Sequence, residues 1–173
     1  MDLETTIEEL AVPLLRYCLG KTGSRELAED LAQEALTALV QRWRRHGAPK
    51  DAAGFVFTVA RRRAGRWLRR RALLRPMEQL VERASLAPGP AEECRHRNEV
   101  ALARSALQGL SARDREILLL VAAGDLQVQQ AATVCRISLS AAKMRLHRAR
   151  RRLAEQMEKN HEIRRSRPEP AAG

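Results

Sequence analysis

The chain has 173 residues and a formal net charge of +11, from 28 Arg and 4 Lys against 21 acids; 45% of residues are hydrophobic and 3% aromatic. This accommodates one ordinary domain or two small ones with a core of Leu, Ala and Val, and it excludes wholesale disorder. No apolar run approaches the ~20 residues that span a bilayer.

The acidic start MDLETTIEEL is neither a signal nor a transit peptide. Cys18, Cys94 and Cys135 form no C-x-x-C pair and have no companion His spacing, so a disulfide framework and a zinc module are both excluded. A reducing cytoplasm is the expected compartment, with no membrane partner.

Thr5 or Thr6 is placed to cap a first helix, in which Leu10, Leu14, Leu15, Cys18 and Leu19 recur at three- and four-residue spacings. Gly20 to Gly23 ends it. Ser24 caps a second helix with Glu26 to Asp30 in its early turns, where acids suit the positive end of the helix dipole. Leu27, Leu31, Leu36, Leu39, Val40 and Trp43 form its apolar stripe. RRHGAPKDAAG reads as a loop by its Gly and Pro. A third helix is expected from about Phe55 to Leu74, ending before Pro76, with an apolar side of Phe55, Val56, Val59, Ala60, Ala64, Trp67 and Leu68. The rest of it is nearly all Arg.

Pro76, Pro88, Gly89 and Pro90 mark an interdomain linker. A helix is expected from about Ala91 to Leu107. Ser111 and Asp114 form a capping box for the next, centred on Ile117 to Val121. Gly124 and Asp125 turn the chain into a short helix near Val128 to Val134. After a turn at Cys135 to Ile137, Ser138 caps a last helix running to about Met157. No strand-like alternation occurs. The expected fold is all-α: two small helical domains, 1–75 and 95–157, joined by the Pro-containing linker 76–94, with a disordered tail at 158–173. Few contacts should cross the linker. The final two helices, separated by a short turn and the second strongly basic, have the pattern of a helix-turn-helix.

Charge is segregated along the chain. Residues 1–41 carry net −5, 42–75 net +11, 76–127 net −2 and 128–157 net +6. A genome that favours Arg explains Arg over Lys but not clustering, so the two basic blocks point to a polyanion partner, nucleic acid. No catalytic constellation accompanies them. His46, His96, His147 and His161 are scattered, the acids gather at helix starts, and there is no G-x-x-x-x-G-K-[ST] loop. Neither a cofactor, a metal site nor an enzymatic activity is expected. A nuclease is the alternative from another class. The nearer one is a stand-alone helix-turn-helix transcriptional regulator, but such a protein has no use for a second basic helix preceded by an acidic ridge.

Four segments in order carry a resemblance: AEDLAQEALTAL (Ala28 to Leu39), GFVFTVARRRAGRWLRR (Gly54 to Arg70), LSARDREILLL (Leu110 to Leu120) and AAKMRLHRARRRL (Ala141 to Leu153). Together they resemble the bacterial sigma factors of the extracytoplasmic-function group in the sigma-70 family, over about residues 8–75 and 95–157. The resemblance implies a factor that binds core RNA polymerase, at its clamp helices and flap, and directs initiation at promoter DNA. Asp30, Gln33 and Glu34 match the clamp-docking positions. Lys50, Arg61, Arg62, Arg66, Trp67, Arg69 and Arg70 fall in the part that recognises and melts the minus-10 element, with Trp67 the candidate for base stacking.

Ser140, Lys143, Met144, Arg145, His147, Arg148 and Arg150 fall in the minus-35 reader. Within it, Ser140, Lys143 and Met144 are placed for base edges, and Arg148 to Arg152 for phosphate. Leu146, Ala149 and Leu153 face the core. The family also implies an anti-sigma partner. The chain departs from the family's usual residues at Arg62 and Arg66, at Gln130-Ala131-Ala132, at Arg136 in the turn, where Gly is usual, and at Ala141-Ala142. A left-handed backbone at Arg136 would cost about 1 kcal/mol relative to Gly.

Overall fold

The computed structural model of the chain describes residues 2–78 and 105–165, all of whose regular structure is helical. The helices are α1 (Leu3–Thr22), α2 (Arg25–His46), α3 (Ala52–Glu78), α4 (Ala112–Ala122), α5 (Val128–Cys135) and α6 (Leu139–Arg165). Residues 105–108 are also helical. Most of the expected linker and of the helix expected from Ala91 lies outside the described residues, as does Cys94.

Helix starts follow local chemistry. Asp2, not Thr5 or Thr6, caps α1: its carboxylate accepts from the Thr5 backbone N–H at 2.9 Å, so the helix begins earlier than its apolar stripe. Gly23 ends α1 in the left-handed region, at φ 68°. Ser24 caps α2 as expected. Asp51 accepts from Gly54 N–H at 2.9 Å and starts α3 at Ala52, ahead of Phe55. At its other end α3 continues past Pro76 to Glu78. A proline so near a helix end removes only one intrahelical bond.

In the second half, the Ser111 hydroxyl accepts from Asp114 N–H at 3.1 Å. The reciprocal half of the expected capping box is absent, because the Asp114 carboxylate is taken by Arg148 and Arg152. Ser138 accepts from Ala141 N–H at 3.2 Å and opens α6. That helix runs on to Arg165. Residues 158–165 are therefore helical and not a disordered tail, since no Gly or Pro interrupts them.

Helices α1 and α2 form a hairpin across Gly23 and Ser24, and α3 packs on both. Helices α4, α5 and α6 pack on one another. The two sets also meet: α1 lies against α4, and α3 against α5. One continuous apolar cluster joins Leu14, Tyr17, Leu39, Val56 and Phe57 of the first set to Ile117, Leu120, Val134 and Leu146 of the second. The expectation of few contacts between the halves is not met. The faces of α1 and α3 left uncovered by α2 are apolar enough to bury a second layer. Close approach depends on two glycines. A Cβ on Gly20 would stand 2.5 Å from Leu119 Cδ2, and one on Gly124 would stand 2.6 Å from Phe57 Cε1.

Candidate nucleic-acid interface

Helix α2 presents Asp30, Gln33 and Glu34 together and exposed, along a shallow groove that also includes Thr37, Ala38 and Gln41. Spacings of three and four set these side chains on one ridge, while Leu31, Ala35 and Leu39 on the other side are buried. Arg63 of α3 pairs with Glu34, so the ridge is less acidic than its sequence implies.

The basic face of α3 divides into two. Arg62, Arg66, Arg69 and Arg70 are exposed, and Lys50 is exposed in the loop before the helix. Arg62, Arg66 and Arg69 line a cleft with Arg61, Lys21 and Glu116. Arg61 is different. Its Nη1 donates to the Val134 carbonyl at 3.5 Å, and its Nε is buried 3.9 Å from Glu116 with no hydrogen bond. It is therefore held against the second half instead of standing with the solvent-facing cations. Trp67 is half-buried, and the Arg71 guanidinium lies over its ring, 5.1 Å from the centroid. A base could stack there only on the opposite side or after Arg71 moves. Phe57 is fully buried and meets Tyr17 edge-on, with centroids 5.4 Å apart, so it belongs to the core.

On α6, Ala142, Leu146 and Ala149 are buried and fix the rotation of the helix. Leu153 packs against the same core. Ser140, Lys143, Met144, His147 and Arg150 are exposed on the outside, and the Ser140 hydroxyl shares a 3.1 Å hydrogen bond with Ser138. Arg145 is half-buried. Arg148 is assigned differently from its sequence reading: it donates to Asp114 Oδ1 at 3.1 Å, while Arg152 donates to Oδ2 at 3.4 Å. The Asp114 side chain is only 3% exposed, so both guanidiniums serve first to neutralise a buried carboxylate and tie α6 to α4. The turn before α6 places Arg136 at φ 57°, in the left-handed conformation.

No periodicity or motif in the sequence signals the polar junction between the halves. The Tyr17 hydroxyl donates to Glu116 Oε1 at 2.6 Å, and Lys21 Nζ donates to Oε2 at 2.6 Å. Burial, then the Glu116 charge, push the Tyr17 hydroxyl well above the usual tyrosine range. At the rim, Gln130 donates to Asp51 at 3.1 Å and Arg16 to Asp125 at 3.1 Å. Burial pushes the Cys18 thiol up to about 12 and also raises Cys135. Among the described residues no group of three His, Cys, Asp or Glu is placed to hold a metal, and no helix is long and apolar enough to cross a membrane.

Residues 6–73 match the family model for Sigma-70 region 2, and residues 101–153 match that for Sigma-70, region 4. The chain is 30% identical over 166 residues to the ECF RNA polymerase sigma factor ShbA of Streptomyces griseus, covering 88% of this chain and 84% of that one. The chain belongs to the extracytoplasmic-function group of sigma-70 factors. This sigma factor is also 30% identical over 167 residues to SigD of Mycobacterium tuberculosis, over 90% of this chain and 76% of the relative.

Among solved structures, the sigma factor RpoE of Bartonella quintana, in complex with the anti-sigma factor NepR, superposes with a TM-score of 0.64 at 26% identity, covering 87% of this chain and 93% of that one. CnrH, in complex with the cytosolic domain of CnrY, has the same fold, with a TM-score of 0.66 at 18% identity over 91% of this chain and 88% of the other. The region 2 match takes in α1, α2 and α3 of the sigma factor, and a stand-alone helix-turn-helix regulator leaves that half unexplained.

Proposed function

We propose that this sigma factor works through three separate surfaces. The ridge Asp30–Gln33–Glu34 docks on the clamp helices of core RNA polymerase. Lys50 and the exposed arginines of α3 hold the phosphate chain at the minus-10 element while duplex is opened. The outer face of α6 enters the major groove at the minus-35 element, and residues 95–157 also meet the polymerase flap. The division of labour follows the boundaries 1–75 and 95–157, joined by 76–94. The factor acts in the cytoplasm without an enzymatic activity of its own.

The observation that carries this reading is on α6. Its inner face is locked by Ala142, Leu146, Ala149 and the Asp114 clamp, while Ser140, Lys143, Met144 and His147 remain exposed. A helix that reads bases needs both a fixed rotation and an uncommitted face. Arg61 can reach DNA only by giving up its contacts with Val134 and Glu116, so it joins the minus-10 set once the halves part. The likeness to a sigma factor solved with its anti-sigma factor supports such a protein as the regulatory partner here.

The decisive experiment reverses the ridge: Asp30→Lys, Glu34→Lys and Gln33→Ala together. Association with core polymerase and promoter-specific transcription should both be lost, while salt-sensitive, non-specific DNA binding by the free factor survives. Arg63→Ala, which removes only the ion pair to Glu34, should leave docking in place. Transcription at wild-type levels from the triple variant would refute the assignment.

A further inference from the structure

We propose that Met144 reads a thymine of the minus-35 element through the 5-methyl group of the base. The inference rests on the placement of α6 in the major groove and adds the chemistry of one contact. Met144 is the most exposed large apolar side chain among the described residues, at 63%. A lone exposed apolar residue is ordinary on a protein surface. The position of this one is not, because it lies in the second turn of the helix that follows the helix-turn-helix turn, where base edges are met.

Ser140, Met144 and His147 follow one another at spacings of four and three and share a stripe, with Lys143 beside it. All four are exposed, and the buried Ala142, Leu146 and Ala149 hold that stripe outward. Met144 cannot read a base by hydrogen bonds: its thioether has no donor and is a weak acceptor. Of the major-groove edges only thymine presents an apolar group, its C5-methyl. Cytosine would set an amino donor against the same side chain and leave it unpaired, so the contact separates T from C. The unbranched, polarizable side chain adapts to a methyl at the floor of a groove. Lys143 and His147, on either side, supply the polar contacts that fix the register.

Holoenzyme assembled from core RNA polymerase and the full chain selects its promoter from a randomised DNA library. Each thymine of the selected minus-35 element is then replaced singly by deoxyuridine, which keeps pairing and removes only the methyl. One replacement should weaken binding about fourfold, the factor that burying one methyl is worth. That replacement should have no effect with Met144→Ala and should keep most of its effect with Met144→Leu. A minus-35 element without thymine, no loss with any deoxyuridine, or a loss that persists in Met144→Ala would overturn the methyl contact while leaving the minus-35 reading intact. A holoenzyme that selects a minus-10 but no minus-35 element would refute the placement of α6 itself, and the proposal with it.

Discussion

Replacing Glu116 by Ala perturbs the junction between the two halves at its most buried polar point. The Glu116 and Lys21 side chains are 12% and 14% exposed, and the carboxylate takes Lys21 Nζ and the Tyr17 hydroxyl, each at 2.6 Å. Deleting one partner of a buried ion pair costs about 3–5 kcal/mol, and an unsatisfied buried hydroxyl about 1–3 kcal/mol. The two losses overlap, and the flexible stem of Lys21 lets its ammonium swing toward water. The expected net loss is about 2–4 kcal/mol. Equilibrium urea unfolding of the full chain, followed by circular dichroism, measures it as a fall in midpoint at constant slope. Replacing both ions with apolar groups, Lys21→Met with Glu116→Leu, should cost less than Glu116→Ala alone, because the Lys21 ammonium is then not left without its partner. A loss below about 0.5 kcal/mol, the usual value for a surface change, would refute the reasoning. So would two separate transitions in the unmutated chain, with Glu116→Ala shifting neither.

Arg136→Gly should raise the urea midpoint by the equivalent of about 0.5–1 kcal/mol, because the residue sits at φ 57°; an unchanged or lowered midpoint would count against strain there. Gly124→Ala should destabilise by about 1–3 kcal/mol, since the new Cβ would meet the buried Phe57 ring and stand 2.8 Å from the Leu120 carbonyl; a neutral effect would mean that the halves slide apart without penalty. Cys18, buried and with its thiol pushed up to about 12, should resist alkylation of the native chain at pH 8 and react after denaturation, as mapped by mass spectrometry. Rapid native labelling at Cys18 would show that the α1 core opens readily.

What was legible in the sequence was mostly local. The caps Ser24, Ser111 and Ser138 are short polar residues ahead of apolar periodicity, and each accepts the expected backbone N–H. The exposed ridge on α2 and the outward stripe on α6 follow from helical spacing. Asp2 and Asp51 escape a reading by periodicity because the apolar stripes that mark these helices begin only at Leu10 and Phe55. Partners across the fold are what a count of charges leaves out. Arg148 looks like any other cation until Asp114, distant in sequence, is found to pair with it. Arg61 likewise meets Glu116 and Val134 from the other half of the chain. Glu116 reads as an ordinary acid in an early helical turn, and nothing in its neighbours announces Tyr17 and Lys21. Pairings of such long separation leave no periodic signature, and a linker rich in Pro and Gly says nothing about whether the domains it joins touch.

The chain contains one tyrosine, and Tyr17 is the residue whose hydroxyl crosses from α1 to Glu116. Both tryptophans, Trp43 and Trp67, lie in the first half. The molecule therefore carries its own pair of optical reporters. The near-ultraviolet absorbance of the phenol responds to loss of its carboxylate partner, whereas indole emission follows the packing of α2 and α3. Titration adds a further readout: as the pH rises above the ordinary tyrosine value of about 10, the ionised phenolate is disfavoured beside Glu116 in the closed form and accepted in the open one. Parting of the halves in the free factor would thus be visible with no label attached.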